Sequence, residues 1–266
     1  MKASEFVAAY AGKGLATWER EALNLIAEGD LAQPPTLEVP VQTPDGAHRG
    51  SFFAVGDYLA IGEPGDYMRM PLTPRNAQRV ADLFSVQLPT RKMVDAIYAA
   101  APAKLTMKGE VPNRGADLNQ YLAHSRRVDA QIAAFGGPAR PTAGGMKDVI
   151  VAKTIPYDDG PRPVRPGKVV IYGGIRPDGR VLQGKSDVHD EGYIDYSHGI
   201  RLVAPNMVVD GRETTIAEVL RDPVLSSMLS DEGTIERPRY GKPPPPPAGG
   251  EALTYAQMLA RLRELG

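Results

Sequence analysis

The sequence predicts an α+β protein, in which an antiparallel sheet built from hairpins has helices packed against it. Three observations support this class. Stretches of alternating apolar and polar residues flank turn signals such as Pro44-Asp45-Gly46 and Arg176-Pro177-Asp178-Gly179. Other stretches have apolar residues at helical spacing behind a capping signal, as at Thr73-Pro74. The 28 glycines and 25 prolines favour many turns and short elements.

The first half is expected to begin with a helix and to continue with strands. Residues 4–28 have a helical pattern, and Gly12 and Gly14 are predicted to break it. Four strands are predicted next, at residues 36–41, 49–55, 58–62 and 67–72. We expect these strands to form one small antiparallel sheet. Thr73-Pro74 and Leu88-Pro89-Thr90 then each open a helix, because threonine caps a helix and proline suits its first turn.

The second half is expected to alternate strands, loops and short helices. A helix is predicted over residues 117–135, and Thr215 with Glu218 has the spacing of a capping box. A short helix is predicted at residues 223–229. The predicted strands are residues 148–154, 168–173, 180–183, 193–204 and 207–209. Pro243 to Pro247 predicts a polyproline II tether, and residues 251–265 predict a short amphipathic helix.

We expect one α+β domain over residues 1–233, with a candidate sub-boundary near residues 136–146, and a separate tail over residues 234–266. A chain of 266 residues can bury a sizeable core. The net charge of −1 argues against a nucleic-acid partner. No apolar run has the length of a membrane span. The N-terminus lacks the apolar core of a signal peptide, so we expect a cytoplasmic chain or a mature secreted form.

The absence of cysteine excludes cysteine nucleophiles, disulfides and thiolate metal sites. The candidate chemistry is instead concentrated in residues 187–201, which hold two of the four histidines together with carboxylates, tyrosines, a serine and an arginine. On the predicted strand over residues 193–204, alternate side chains share a face. Asp195 and Ser197 would then share a polar face with Arg201, whereas His198 would lie on the apolar face.

This register suggests a catalytic arrangement. Ser197 and His198 would point apart, but His189 can fold back from the preceding loop to give a Ser197–His189–Asp195 set, with the histidine as general base. A bulge at Gly199 would change the register and bring His198 into play. The alternatives are a core histidine at position 198 and a structural ion pair between Asp195 and Arg201.

Five further residues are candidates for substrate binding, and one residue set is a candidate for metal binding. Arg201, Lys147 and Arg91 can hold an anionic group or an oxyanion, and His124 neighbours the apolar stripe of its helix and can face a cleft. Tyr196 adds a hydroxyl within the polar stretch. We expect no cofactor. The alternative is zinc bound by His189, Asp195 and His198, since the run from His189 resembles the zinc-peptidase pattern His-x-x-Gly-x-Ala-x-Asp with the aspartate one residue early.

Several strings resemble a family of largely uncharacterised bacterial proteins, many of them secreted, that share a stretch like Tyr-x-Asp-Tyr-Ser-His-Gly-x-Arg-Leu. The strings are residues 57–62, 77–82, 88–95, 147–149 and 193–202, and the resemblance covers most of residues 4–233. It implies homology without implying a mechanism. Family members carry histidine or lysine near Met146 and asparagine near Ser125, and this chain departs from the family there.

Two functions are therefore predicted. The first is a hydrolase that cleaves an amide or ester bond in a small molecule or a polymer, such as a cell-wall or peptide-like polymer, by histidine acid–base chemistry. The alternative is a non-enzymatic binding or assembly protein of a cell envelope or a phage-like particle. In that case the C-terminal tail would dock on a protein partner.

Overall fold

The computed structural model describes residues 1–32, 34–109, 112–157 and 160–242, and the predicted polyproline tether and terminal helix lie outside this range. The described chain has an α+β fold, as the sequence predicts. The helices are α1 Ala3–Tyr10, α2 Leu15–Ala27, α3 Pro74–Leu83, α4 Arg91–Ala100, α5 Leu118–Ala134 and α6 Ile216–Arg221, followed by a 3₁₀ turn at Leu225–Met228. Within the described ranges, no helix is long and apolar enough to cross a membrane.

The strands are short and numerous. In chain order they are β1 Thr36–Gln42, β2 Arg49–Val55, β3 Ala60–Glu63, β4 Asp66–Arg69, β5 Ala103–Lys104, β6 Thr142–Ala143, β7 Lys147–Val149, β8 Thr154–Tyr157, β9 Gly160–Pro163, β10 Ile171–Ile175, β11 Val181–Ser186, β12 His198–Gly199, β13 Val203–Val209 and β14 Arg212–Thr215. One four-stranded sheet has the order β1-β2-β13-β14, and a second has the order β11-β10-β7-β12. The predicted hairpins at β1–β2 and β10–β11 are confirmed.

The expectation of a separate sheet in the first half is wrong. The β1–β2 hairpin pairs with β13, whereas β3 and β4 form a two-stranded pair of their own. One face of this first sheet is apolar and packs on α4 and α6. β13 and β14 widen the sheet, so that this face covers both helices. The sheet therefore joins residues that are more than 140 positions apart in the chain.

The predicted helix starts are confirmed, although the Thr73 side chain makes no capping hydrogen bond at the start of α3. Thr90 accepts a hydrogen bond from the Met93 amide at the start of α4, and Asp117 accepts from two amides at the start of α5. Thr215 and Glu218 form the predicted capping box of α6. The predicted strand over residues 148–154 is shorter than expected, because β7 ends at Val149.

The largest core cluster lies between α1, α2, α3, α5 and the segment of residues 194–202. Trp18 is fully buried in it and packs edge-on against Tyr121, with 5.8 Å between the ring centroids. Residues 234–242 also contact the body of the fold. Ile235 is buried in the core beneath the first sheet, and the Tyr240 hydroxyl donates to the carbonyl of Ile150 at 2.6 Å.

Candidate functional site

The polar stretch folds as consecutive turns, so the predicted strand over residues 193–204 is wrong outside β12 and the start of β13. The Asp195 carboxylate accepts from the Ser197 amide at 2.9 Å, and the Asp195 carbonyl accepts from the His198 amide at 3.1 Å. These local bonds offer the backbone an alternative to a sheet ladder. The turn places His198 on the same side of the chain as Asp195, although alternation predicts opposite faces.

The apolar half of the predicted pattern is confirmed. Ile194, Tyr196, Ile200 and Leu202 are all buried in the largest core cluster. They fix the segment at four points, and the polar side chains between them are held in place as a result. Gly199 is required at its position, because a Cβ atom there would lie only 2.4 Å from the ring of Tyr58.

Asp195 is the buried centre of a polar cluster, which we define as Asn113, Lys147, Tyr193, Asp195, Ser197 and His198. Its carboxylate is 2% exposed. One oxygen, Oδ1, accepts from the Ser197 hydroxyl at 2.5 Å, and the other, Oδ2, accepts from the Asn113 amide at 2.9 Å and from the Tyr193 hydroxyl at 3.2 Å. The Lys147 ammonium lies 3.6 Å from Oδ2, and His198 Nε2 lies 3.9 Å from it.

The carboxylate stays ionised in this cluster. Burial opposes the charge. It is outweighed by attraction from His198, which applies once this ring is protonated at low pH, by attraction from Lys147 and by the hydrogen bonds from Ser197, so the pKa of Asp195 lies well below its ordinary value. A buried charge with several donors is stable only while the donors stay in place. Asp195 therefore organises the cluster.

His198 differs from its neighbours because neither ring nitrogen has a hydrogen-bond partner among the described residues, although the side chain is 0% exposed. The alternative of a core histidine is confirmed for the burial of His198, but the expected bond to a backbone carbonyl is absent among the described residues. Burial lowers the pKa of His198 to about 4, even though attraction to Asp195 acts in the opposite direction. At neutral pH the imidazole is neutral, so one nitrogen is available to accept a proton.

His189 reaches the cluster through an aromatic contact. Its ring stacks on Tyr193 with 3.8 Å between centroids, and the Tyr193 ring meets His198 edge-on at 5.7 Å. A pairing of residues 168–169 with residues 189–190 fixes the loop that carries His189. The Ser197–His189–Asp195 order predicted from the sequence is not the arrangement found, because the Ser197 hydroxyl donates to Asp195.

Strand pairing brings Lys147 to the cluster. β12 pairs in parallel with β7, so that His198 lies opposite Lys147 and Gly199 opposite Asp148. Successive side chains on β7 point to opposite faces, and Lys147 therefore reaches Asp195 while Asp148 points away from it. Asp148 accepts from the Tyr58 hydroxyl at 3.1 Å and lies 3.7 Å from the guanidinium of Arg201.

The other predicted binding residues lie elsewhere. Arg201 donates to the carbonyls of Val55 and Thr142, because the turn directs its side chain away from Asp195. Arg91 pairs with Asp231 and Asp95 near the start of α4. His124 is buried on α5 with Nε2 3.1 Å from the Gly145 carbonyl, and its ring meets Tyr196 edge-on.

Sequence reasoning missed Asn113, Tyr193 and Asp148 as members of polar clusters. Asn113 lies in a loop that precedes α5 and carries no local signal of its role. Tyr193 lies within the recognised stretch of residues 187–201 but was not chosen as a site residue, and Asp148 directly follows the recognised Lys147. No group of three or more histidine, aspartate or glutamate side chains in the described residues is placed to hold a metal ion, so His189, Asp195 and His198 do not form the alternative zinc set.

Comparisons of the chain with known protein families, with curated proteins and with solved structures found no match. The resemblance to secreted bacterial proteins therefore stays a prediction.

Proposed function

We propose that the chain is a hydrolase that cleaves an amide or ester bond, with His198 as general base and Asp195 and Lys147 as its charged partners. The observation that carries this proposal is the buried neutral imidazole of His198, which has no hydrogen-bond partner in the described chain and faces a carboxylate at 3.9 Å. Unpaired buried polar atoms are rare and call for an explanation, and a catalytic base is one such explanation.

The proposed reaction uses water as the nucleophile. His198 takes a proton from the water as its oxygen bonds to the substrate carbonyl carbon, and the carbonyl oxygen becomes an oxyanion. The imidazolium then gives this proton to the leaving nitrogen or oxygen as the scissile bond breaks. Asp195 stabilises the imidazolium because the two charges are opposite, and Lys147 can stabilise the oxyanion.

Ser197 is a positioning residue in this scheme. Its hydroxyl and its amide both donate to Asp195 Oδ1, so the serine proton is directed at the carboxylate. A serine nucleophile would have to break this bond and find a base. The geometry therefore favours direct attack by water over a covalent serine intermediate.

A substrate reaches His198 only if its cover moves. His198 is fully buried, whereas Tyr193 and His189 are partly exposed and stack on each other beside it. Lys147 is also partly exposed, and Asn113 is exposed. These side chains form the side of the cluster nearest to solvent, so we expect the Tyr193 ring to rotate when substrate binds.

The test uses the full chain with two probes, p-nitrophenyl acetate for ester cleavage and purified peptidoglycan with product analysis by mass spectrometry for amide cleavage. His198→Ala is expected to abolish turnover of the probe that the wild type cleaves, and kcat/KM of the wild type is expected to fall as the pH drops through about 4. His48→Gln is the matched control, since His48 is partly exposed and bonded to Asp210, far from the cluster in the chain.

Ser197→Ala separates the two roles of the serine. A positioning role predicts a loss of about tenfold in kcat, whereas a nucleophile predicts a loss of at least about a thousandfold. Full activity in His198→Ala would overturn the proposal.

The second candidate function is a binding or assembly protein, and one observation favours it. The donors to Asp195 come from the loop before α5 and from the turn after residue 192, with Lys147 of β7 close by, so the cluster also ties three chain segments together. Deletion of residues 243–266 discriminates between the functions. An enzyme should keep its turnover, whereas an assembly protein should lose its partner in a pull-down from the source cell.

A further inference from the structure

A pocket lies on the face of β7 that points away from the Asp195 cluster. Its volume is about 230 Å³, and Asp148, Arg201, α4 and β10 contribute to its lining. The exposed residues Gly179 and Val181 line its mouth, and the side chain of Val181 is 39% exposed. The pocket is therefore reachable from solvent even though its polar end is buried.

Two unpaired polar atoms lie at the buried end. Among the residues that the structure describes, Asp148 Oδ1 and Arg201 Nε have no hydrogen-bond partner, although their residues are only 3% and 1% exposed. The two atoms belong to an ion pair with a separation of 3.7 Å. The remaining polar atoms of both side chains are engaged, by the Tyr58 hydroxyl and by two backbone carbonyls. One acceptor and one donor are thus held side by side.

The remaining charged side chain of the described lining is already bonded within the protein. This side chain is Asp95, and its carboxylate accepts from the Tyr172 hydroxyl at 2.7 Å and from Arg91 at 3.2 Å. The charges of Asp148 and Arg201 have opposite signs and cancel locally. The walls are apolar or aromatic and include Val94, Ile97, Tyr98, Tyr172 and Ile175.

A glycine lies beside the polar end of the pocket. Gly173 has a φ of +103°, and a Cβ atom there would lie 3.6 Å from Asp148 Oδ2. The backbone of β10 therefore passes close to the carboxylate with no side chain between them.

We propose that this pocket binds a small neutral molecule that presents an amide edge, a carbonyl next to an N–H, on a flat apolar body. The ligand carbonyl accepts from Arg201 Nε, and the ligand N–H donates to Asp148 Oδ1. Both buried atoms are then satisfied at once, which a purely apolar, cationic or anionic ligand cannot achieve. The aromatic and aliphatic walls hold the body of the ligand. The site is separate from the proposed hydrolytic cluster and does not depend on its function.

The experiment measures the binding of benzamide to the full chain by isothermal titration calorimetry and ligand-observed NMR, with benzoate and benzylamine as charged comparators of the same shape. We expect a Kd for benzamide on the order of 1 mM, as is usual for a ligand of this size, and at least about tenfold weaker binding of both comparators. Equal or tighter binding of benzoate or benzylamine would overturn the proposal.

Three variants locate the binding. Asp148→Asn is expected to weaken the binding of benzamide at least about tenfold. The oxygen of the new amide would keep the hydrogen bond from the Tyr58 hydroxyl, and its NH₂ group would replace the free acceptor. Val181→Trp blocks the mouth without touching the polar end and should also remove binding. Asp210→Asn is the matched control, because Asp210 is an exposed carboxylate that does not line the pocket, and its affinity should stay within about twofold. Unchanged affinity in Val181→Trp, or no benzamide binding to the wild type, would overturn the proposal.

Discussion

The dependence of stability on pH tests whether His198 is held neutral by burial. In the unfolded chain an imidazole titrates near its ordinary pKa of about 6.5, whereas burial lowers the pKa of His198 in the fold to about 4. Between these values the unfolded state binds a proton that the folded state does not. The free energy of unfolding therefore decreases as the pH is lowered through this window.

Asp148 has the opposite effect over nearly the same range. Burial raises the pKa of Asp148 to about 6, although Arg201 and Tyr58 oppose the shift. The folded state then takes up a proton before the unfolded state does, and the free energy of unfolding increases as the pH falls from about 6 toward about 4. Between pH 7 and about 4.5, each group contributes about 2 kcal/mol, with opposite signs. The two contributions nearly cancel in the wild type, and removing either one reveals the other.

The assay is urea unfolding of wild type, His198→Gln and Asp148→Asn at pH 7 and at about pH 4.5, followed by the fluorescence of the single, fully buried Trp18. On acidification, His198→Gln should gain about 2 kcal/mol relative to wild type, and Asp148→Asn should lose about 2 kcal/mol. The pKa of Asp195 is lowered, so its contribution to the free energy of unfolding changes only at pH values below this range. If His198→Gln and wild type change in parallel, the imidazole is not held neutral by burial and the argument for a buried base fails.

Three further predictions concern packing, helix capping and a buried ion pair, and each is measured by urea unfolding at pH 7. Gly199→Ala should cost at least about 2 kcal/mol, because its Cβ would lie 2.4 Å from the Tyr58 ring, and an unchanged midpoint would contradict this close contact. Thr215→Ala should cost about 1 kcal/mol through the lost cap of α6, and no loss would show that the cap is not needed. Lys185→Met should cost about 3 kcal/mol, since it leaves the Glu232 carboxylate buried without its cation, and addition of Glu232→Gln should recover part of the loss.

Local structure could be predicted wherever the determining contacts are short-range. The break between α1 and α2, the cap of α4 at Thr90 and the hairpin β1–β2 all depend on residues within a few positions of one another. The same holds for the position of the polar stretch, since the concentration of histidines, carboxylates and hydroxyls in residues 187–201 is a property of the sequence alone.

The shape of the polar stretch could not be predicted, because two local preferences compete there. Aromatic and β-branched residues favour a strand, and the buried Ile194, Tyr196 and Ile200 follow the strand pattern. The Asp195 side chain instead accepts from the Ser197 amide and closes a turn. Burial of the surrounding core decides the competition in favour of the turn, since a buried carboxylate needs several donors.

The sequence by itself determined the α+β class, the helix ends, the hairpins and the composition of the candidate site. Only the tertiary structure decided which strands pair and which polar groups meet. Parallel pairing of β7 with β12 brings Lys147 to Asp195 and turns Asp148 toward Arg201, and a distant loop supplies Asn113. The physical reason is that these contacts join positions far apart in the chain, where packing of the whole core outweighs any local preference.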